Sequence, residues 1–223
     1  MLKDVTLITV NCCNPDLGVL ALKRSYKYLQ FGAIKLVSHI RPKDLPDCVQ
    51  FEQIPQLTTL HAYNEFCITS LHFYVKTPLS LTVQTDGFVL RPELWDDAFC
   101  EYDYIGAVWP PTVTGMRPGQ PVGNSGFCLR SKRLLYETSR LASIYPMPSK
   151  CKDDLFACAT YYPELTAAGI KFAPVKVASQ FSFEMPVPGL KLTEKDTFGF
   201  HGKRTPGTRA LCASLQHTSQ QQA

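Results

Sequence analysis

Four short segments, far apart in the chain, carry the residues that could do chemistry. The first, Gln84-Thr85-Asp86-Gly87, follows the apolar run LSLTV at 79–83. An acid beside a glycine at the carboxyl end of a buried strand is where open α/β sheets keep their ligands. Asp86 there could hold a divalent cation, because Mg2+ and Mn2+ accept carboxylate and phosphate oxygens together. The same tetrapeptide also has the makings of a tight turn, since Asp-Gly pairs commonly close hairpins. Gln84, two residues earlier on the same strand face, could hydrogen-bond a sugar or ribose hydroxyl.

The second segment is Gly123-Asn124-Ser125-Gly126. Two glycines around a small polar pair let a backbone approach a ligand and present its N–H groups; an ordinary turn into the next strand explains them equally well. Neither GxxxxGK[ST] nor a GxGxxG after the first strand occurs, so this is not a P-loop or a dinucleotide fingerprint. The third is Lys152-Asp153-Asp154. Acids in a first helical turn favour the helix dipole, but adjacent ones point about 100° apart. One can therefore cap while the other faces a cleft as a general base. The fourth is His201, set among Phe198, Gly199, Phe200 and Gly202 and followed by Lys203 and Arg204. An imidazole can ligate a metal, and a lysine can meet a phosphate as a point charge. Trp95, Tyr102, Tyr104 and Trp109 could stack on sugar rings or sit in the core, while Asp96 and Asp97 have the character of solvated helix-start charges.

The elements that must position these segments alternate. A strand at 4–10 ends in Asn11 and is followed by a helix from Pro15 to about Leu29, ended by Gly32, and a second strand at 34–40. A β-α-β unit of this kind makes adjacent parallel strands. A short strand at 49–54, a helix capped by Thr58 or Thr59 and running through Asn64 to about Val75, and the 79–83 strand come next. Thereafter the pattern predicts a Pro/Gly loop at 108–121, a strand at 126–130, a helix at 131–142, a loop at 146–149, a helix at 153–161 and a strand at 172–178. Residues 206–223 are polar and are expected to be loose. The fold class is α/β, a single layered domain over 1–205 with a mainly parallel sheet.

With 223 residues and 45% hydrophobic content, one substantial core is affordable. A net charge of +4 permits an anionic ligand without demanding nucleic acid. No apolar run approaches the roughly 18 residues of a membrane span, and the N-terminus lacks a signal-peptide pattern. Nine scattered cysteines with no CxxC pair suit a reduced, cytoplasmic setting better than a disulfide framework.

Taken in order, YNEFCITSLHFYVKTPLSLTVQTDGFVL, WDDAFCEYDYIGAVWP, VGNSGFCLRS, KDDLF and FGFHG resemble a family of glycosyltransferase-like proteins. Its members carry Gln-x-Asp-Gly-Phe, Tyr-Asp-Tyr-Ile-Gly-Ala-x-Trp and Val-Gly-Asn-x-Gly-Phe-x-Leu-Arg-Ser segments. The family is known mostly as a domain of unknown function similar to GT-A-fold nucleotide-sugar transferases. The resemblance covers about residues 58–202; the first 57 residues carry no motif of it.

The resemblance implies a single GT-A-like, Rossmann-like domain and a divalent metal, Mn2+ or Mg2+. Where such enzymes place a DxD motif, this chain has Gln84-Thr85-Asp86, which leaves Asp86 as the one direct carboxylate ligand, with His201 matching the C-terminal metal-binding histidine. Asn11, Asn64, Gln84, Asp86, Gly123, Asn124, Ser125 and Lys203 would contact the donor. Asp153 or Asp154 would be the base, with Asp154, the second of the pair, favoured. The implied reaction moves a sugar from a nucleotide-diphosphate donor, UDP-sugar first, to an acceptor hydroxyl with inversion. The acceptor is open among glycan, protein, small molecule and a modified nucleobase in DNA. A non-catalytic nucleotide-sugar or carbohydrate-binding module is the alternative, and a nucleotide-sugar hydrolase or nucleotidyltransferase a third.

Overall fold

The computed structural model describes residues 1–148 and 150–220. Ser149 of the loop expected at 146–149 and residues 221–223 of the expected tail lie outside them. β1 (Leu2–Val10) leads through α1 (Pro15–Tyr26) to β2 (Phe31–Ser38) and then β3 (Gln50–Gln53). α2 (Leu60–Thr69) precedes β4 (Leu79–Thr82). The short strands β5 (Tyr104–Ile105), β6 (Ala107–Val108) and β7 (Val122–Gly123) lead to β8 (Cys128–Ser131) and α3 (Lys132–Ile144). A one-turn α4 (Asp153–Leu155), running into a π-helical turn at Phe156–Thr160, is followed by α5 (Tyr162–Ala167) and α6 (Val175–Phe181). β9 (Ser182–Phe183), β10 (Gly199–Phe200) and α7 (Pro206–Gln220) complete the chain.

The central sheet has the order β3-β2-β1-β4-β8-β5. β1 pairs in parallel with β2 and β4, and β2 with β3. β8 runs antiparallel to both β4 and β5, so the sheet is mixed but mainly parallel. Alternation along β1 serves both faces: Leu7 packs with Val19 and Leu22 of α1, and its neighbour Ile8 packs with Leu71, Val75 and Leu135. Side-chain caps start the helices where the sequence places them. Asn14 accepts from the Leu17 N–H, Thr59 from Ala62 and Ser131 from Leu134.

The first helix stops at Tyr26 and the second at Thr69, short of the expected Leu29 and Val75, and three further departures from the sequence reading have a physical reason. Gly32 does not end a helix; it lies in β2, where a Cβ would meet the Lys3 carbonyl oxygen at 1.9 Å. The strand expected at 172–178 is reduced to a bridge between Phe172 and Tyr104, and α6 follows. Pro174 has no N–H for a ladder, and its carbonyl accepts from the N–H groups of Val177 and Ala178, so the chain turns helical and buries Ala178 and Phe181. The tail expected to be loose from residue 206 is helical to Gln220. Thr205 and Thr208 start it with reciprocal side-chain-to-backbone bonds of 3.1 and 3.0 Å. Cys212 and Leu215 are buried, and Ser214 accepts from Arg24 of α1.

Gly106, between β5 and β6, shows why the Tyr-Ile-Gly-Ala-Val-Trp run tolerates no larger residue at its centre. A Cβ there would stand 1.8 Å from the Gly123 carbonyl oxygen. Gly106→Ala is expected to cost about 1–3 kcal/mol or more, read as a lower urea midpoint.

Candidate active site

β1 and β4 end side by side, and the candidate residues collect beyond those ends. The Gln84–Gly87 segment is a closed turn, its two ends exchanging hydrogen bonds of 2.7 and 3.0 Å. The turn reading and the ligand reading are therefore compatible: the turn presents Asp86. Gln84 Nε2 donates to the Tyr63 hydroxyl (2.7 Å). Asn11 has its Oδ1 on the N–H groups of Cys13 and Asn14 (3.1 and 2.8 Å), shaping the turn into α1. Asn11, Tyr63, Gln84 and Thr85 line a largely apolar cleft of about 340 Å³.

Asp86 Oδ1 lies 3.6 Å from His201 Nε2. The imidazole rests on Gly126, where a Cβ would come within 2.0 Å of Nε2, and it is bounded by Gly87. Asn124 adopts φ 83°, and its Oδ1 accepts from the N–H groups of Gly126 and Phe127 (2.8 and 3.2 Å). Its Nδ2 donates to His201 Nδ1 at 2.7 Å. The N–H groups of Gly126 and Phe127 are thus taken up internally rather than offered to a ligand. Its glycines make room for rings: Gly123 lies against Trp109 and Gly126 against His201.

The two acids of α4 have different surroundings. Asp153 is buried, receives Ser125 Oγ (2.7 Å) and Arg130 Nη1 (3.1 Å), and has its own N–H directed at Asn64 Oδ1 (3.4 Å). Arg130 also reaches Thr82 (3.0 Å). Ser125 and Asn64 therefore brace Asp153. Asp154 is half-buried and accepts from the Leu155 N–H (2.7 Å). Burial first, then the charge of Asp153, pushes its pKa from 3.8 up to about 7. Asp154 opens on a second cleft of about 330 Å³, together with Trp109, Thr112, Lys152, Glu184 and Arg204. Lys203 is exposed, one residue beyond Gly202.

Glu184 was not among the sequence-derived candidates, yet it joins the two halves of the site. It is 8% exposed, accepts from Trp109 Nε1 at 2.6 Å and stands 3.7 Å from His201 Nδ1. Burial raises its pKa, but the bond and charge of His201 outweigh that and leave it lowered. Conversely, burial lowers the His201 pKa, and the Glu184 bond with the charges of Asp86 and Glu184 outweighs that and leaves it raised. A signal for Glu184 does exist: Phe181-Ser182-Phe183-Glu184 repeats the form of Phe198-Gly199-Phe200-His201. These segments pair in parallel as β9 and β10.

Of the other candidates, Asp103 braces the fold through Ser131 Oγ (2.6 Å) and the Lys171 N–H (2.9 Å). Asp96 caps a short 3-10 helix and Asp97 accepts from Trp95 Nε1. Tyr104 is buried with its hydroxyl on the Asn124 carbonyl, and Trp109 is buried rather than displayed to a sugar.

No group of three His, Cys, Asp or Glu side chains suited to a metal occurs among the described residues. Asp86 and His201 make a pair. Two ligands about 2.1 Å from one ion stand roughly 3–4 Å apart, and these are 3.6 Å apart. The donor set fits an oxygen-loving divalent ion that takes the rest of its shell from phosphate and water. None of the nine cysteines forms a disulfide, and no helix among the described residues is long and apolar enough to cross a membrane.

The sheet and its covering helices define the class: an α/β domain with a GT-A-like fold. A glycosyltransferase involved in the glycosylation of the major capsid of PBCV-1 superposes with a TM-score of 0.52 at 12% identity, covering 96% of this chain and 98% of that one. The mannosyltransferase PcManGT from Pyrobaculum calidifontis, in complex with GDP-Man and Mn2+, gives a TM-score of 0.47 at 12% identity. That match covers 78% of this chain, which spans 55% of the mannosyltransferase. At 12% identity the likeness to the capsid glycosyltransferase is one of fold alone. Within that class, the chain belongs to the family described as "Protein of unknown function (DUF5672)", which matches residues 47–201. No curated protein matches it in sequence.

Proposed function

We propose that this chain is an inverting glycosyltransferase that moves a sugar from a nucleotide-diphosphate donor, a UDP-sugar in the first instance, to an acceptor hydroxyl. The observation that carries the reading is the separation of roles between adjacent acids. Asp153 is locked to Arg130 and Ser125, while Asp154 faces a cleft with a pKa of about 7, the value that suits a general base near neutral pH. Neighbouring carboxylates held in unlike environments are a mark of assigned acid–base roles.

In this scheme the nucleoside occupies the cleft lined by Asn11, Tyr63 and Gln84, and the acceptor occupies the cleft beside Asp154. Asp86 and His201 stand at the junction and would hold Mn2+ or Mg2+ against the diphosphate, with Lys203 as an outer cation. A bound divalent ion supplies charge stabilisation for the departing diphosphate, worth several kcal/mol. Asp154 takes the proton of the acceptor hydroxyl as its oxygen bonds to the anomeric carbon. The bond from that carbon to the diphosphate oxygen breaks, and its electron pair leaves with the nucleotide. Asn124, Ser125 and Gly123 shape the loop beside the sugar; Asn64 acts from beneath by bracing Asp153.

Release of nucleotide from a panel of UDP- and GDP-sugars, with and without Mn2+ and with mass analysis of the product, tests the reading. Asp86→Ala is expected to lower release by on the order of 10³-fold and to remove the Mn2+ dependence of UDP binding in calorimetry; full activity in that variant overturns the site. Saturable donor binding without release under any acceptor would instead support a binding module.

A further inference from the structure

We infer that the acceptor is a sugar phosphate or sugar acid, its anionic group held between Lys152 and Arg204 while its hydroxyl faces Asp154; this rests on the reading given under Proposed function and names the substrate class of that site.

Lys152 and Arg204 come from separate segments, one just before α4 and one shortly after β10, and both line the cleft of about 330 Å³ at Asp154. Each is fixed at its root. Lys152 stands between two buried residues, Cys151 and Asp153, and Asp153 is tied to Ser125 and Arg130. Arg204 lies back along the chain: a Cβ on Gly202 would stand 3.7 Å from Arg204 Cγ and 3.9 Å from Glu184 Cγ. Both cations are exposed, and neither forms an ion pair among the described residues.

The acids of the cleft do not neutralise them. Glu184 places one oxygen on Trp109 Nε1 and turns the other toward His201. Asp154 accepts from the Leu155 N–H, and Lys152 acts on it more weakly than burial, Asp153 and Glu184 do. Nor does either cation line the cleft assigned to the nucleoside. Two positive charges are thus left to face whatever enters beside Asp154. A guanidinium grips a phosphate or carboxylate with two parallel bonds, and an ammonium meets it as a point charge.

The size and lining of the cleft narrow the class. Its volume of about 330 Å³ is near the lower end of small-molecule sites, roughly 300–1,000 Å³, which suits one sugar unit. Thr112 and Thr114 bring hydroxyls and Val113 and Leu155 apolar surface, a mixture that matches the hydroxyl edges and apolar faces of a sugar ring. An anion anchored at one end of so small a ligand orients its hydroxyl toward Asp154, and orientation of this kind is what lets a base act.

Matched acceptor pairs test the inference: glucose against glucose 6-phosphate, and methyl glucoside against methyl glucuronide. With a donor that releases nucleotide, kcat/KM for at least one anionic member should exceed that of its neutral partner about tenfold or more. A preference for the phosphate alone assigns a sugar phosphate, and one for the carboxylate alone a sugar acid. In the double variant Lys152→Gln with Arg204→Gln, that ratio should fall to within about twofold of one, while UDP affinity in calorimetry stays within about twofold of wild type. Nuclear magnetic resonance of the Lys152 Cε and Arg204 Nε signals, with and without UDP, needs no turnover. The anionic members should shift both signals saturably and the neutral members neither. Equal use of neutral and anionic acceptors, or no saturable shift with either anion, overturns the inference. So does a tenfold or greater loss of UDP affinity in the double variant, which would assign the two cations to the donor. Wild-type protein that releases nucleotide from no donor overturns the transferase reading alone, and the shifts still decide whether this cleft takes an anionic sugar.

Discussion

Asp154→Asn is expected to lower turnover by about 10²–10⁴-fold while leaving UDP affinity within about twofold of wild type. The residue lines a different cleft from the one assigned to the nucleoside, so its loss should remove proton transfer and not binding. The wild-type pH profile carries the same information. With a pKa of about 7, the carboxylate is the minority form in acid, and kcat/KM should rise about tenfold per pH unit to a plateau above pH 7. In the Asn variant the residual rate loses that limb. Stability runs the opposite way. A carboxyl whose folded pKa lies above its unfolded value adds stability below pH 4, and that contribution is lost as pH rises through about 7. At pH 8 the wild type therefore bears a burial cost that Asn does not. Asp154→Asn should be the more stable protein there, by up to a few kcal/mol, read as a higher melting temperature. A variant that kept turnover would remove Asp154 as the base.

Asp153→Ala should behave differently, as a folding defect of about 3–5 kcal/mol. Its carboxylate and the Arg130 guanidinium lie 3.1 Å apart with side chains 3% and 6% exposed. Removing one leaves the other charged, buried and unpaired. Arg130 Nε already lacks a hydrogen-bond partner, so little reserve exists to absorb the change. Urea denaturation measures the loss directly. Residual folded Asp153→Ala should still bind UDP through the cleft at Asn11 and Gln84. If Asp153→Ala were as stable as wild type, the bracing role would be wrong, and Asp153 would return as the competing candidate for the base.

The parts of this arrangement that a linear reading could reach are those written in local pattern. Apolar runs mark β1, β2 and β4, while Pro15 as a first-turn residue and Thr59 as a cap announce α1 and α2. Asp86 and Asp154 were reachable because an acid at a strand end or in a first turn has a spatial address. The resemblance to a known family added the role implied for His201 and the order of the segments. Long-range partners stayed out of reach. That Ser125 and Asn64 serve Asp153 depends on segments more than 25 residues apart in sequence meeting in space. α6 is hidden in the sequence because Ala173, Val175 and Val177 alternate like a strand, whereas Pro174 ends the pairing. α7 is hidden by its polar composition: three residues, Thr208, Cys212 and Leu215, supply its described buried face. Glu184 needed the Phe-x-Phe repeat to be seen as two neighbouring strands.

The left-handed backbone of Asn124 makes one position answer to two incompatible selective demands. Glycine would satisfy the φ angle with least strain but has no amide to hold Gly126, Phe127 and His201. Most other side chains that could make polar contacts disfavour the conformation, and asparagine is one of the few that tolerates it. Loop shape and histidine orientation thus share a single genetic locus. A lineage drifting at residue 124 would lose both together, with no intermediate that keeps one and sacrifices the other.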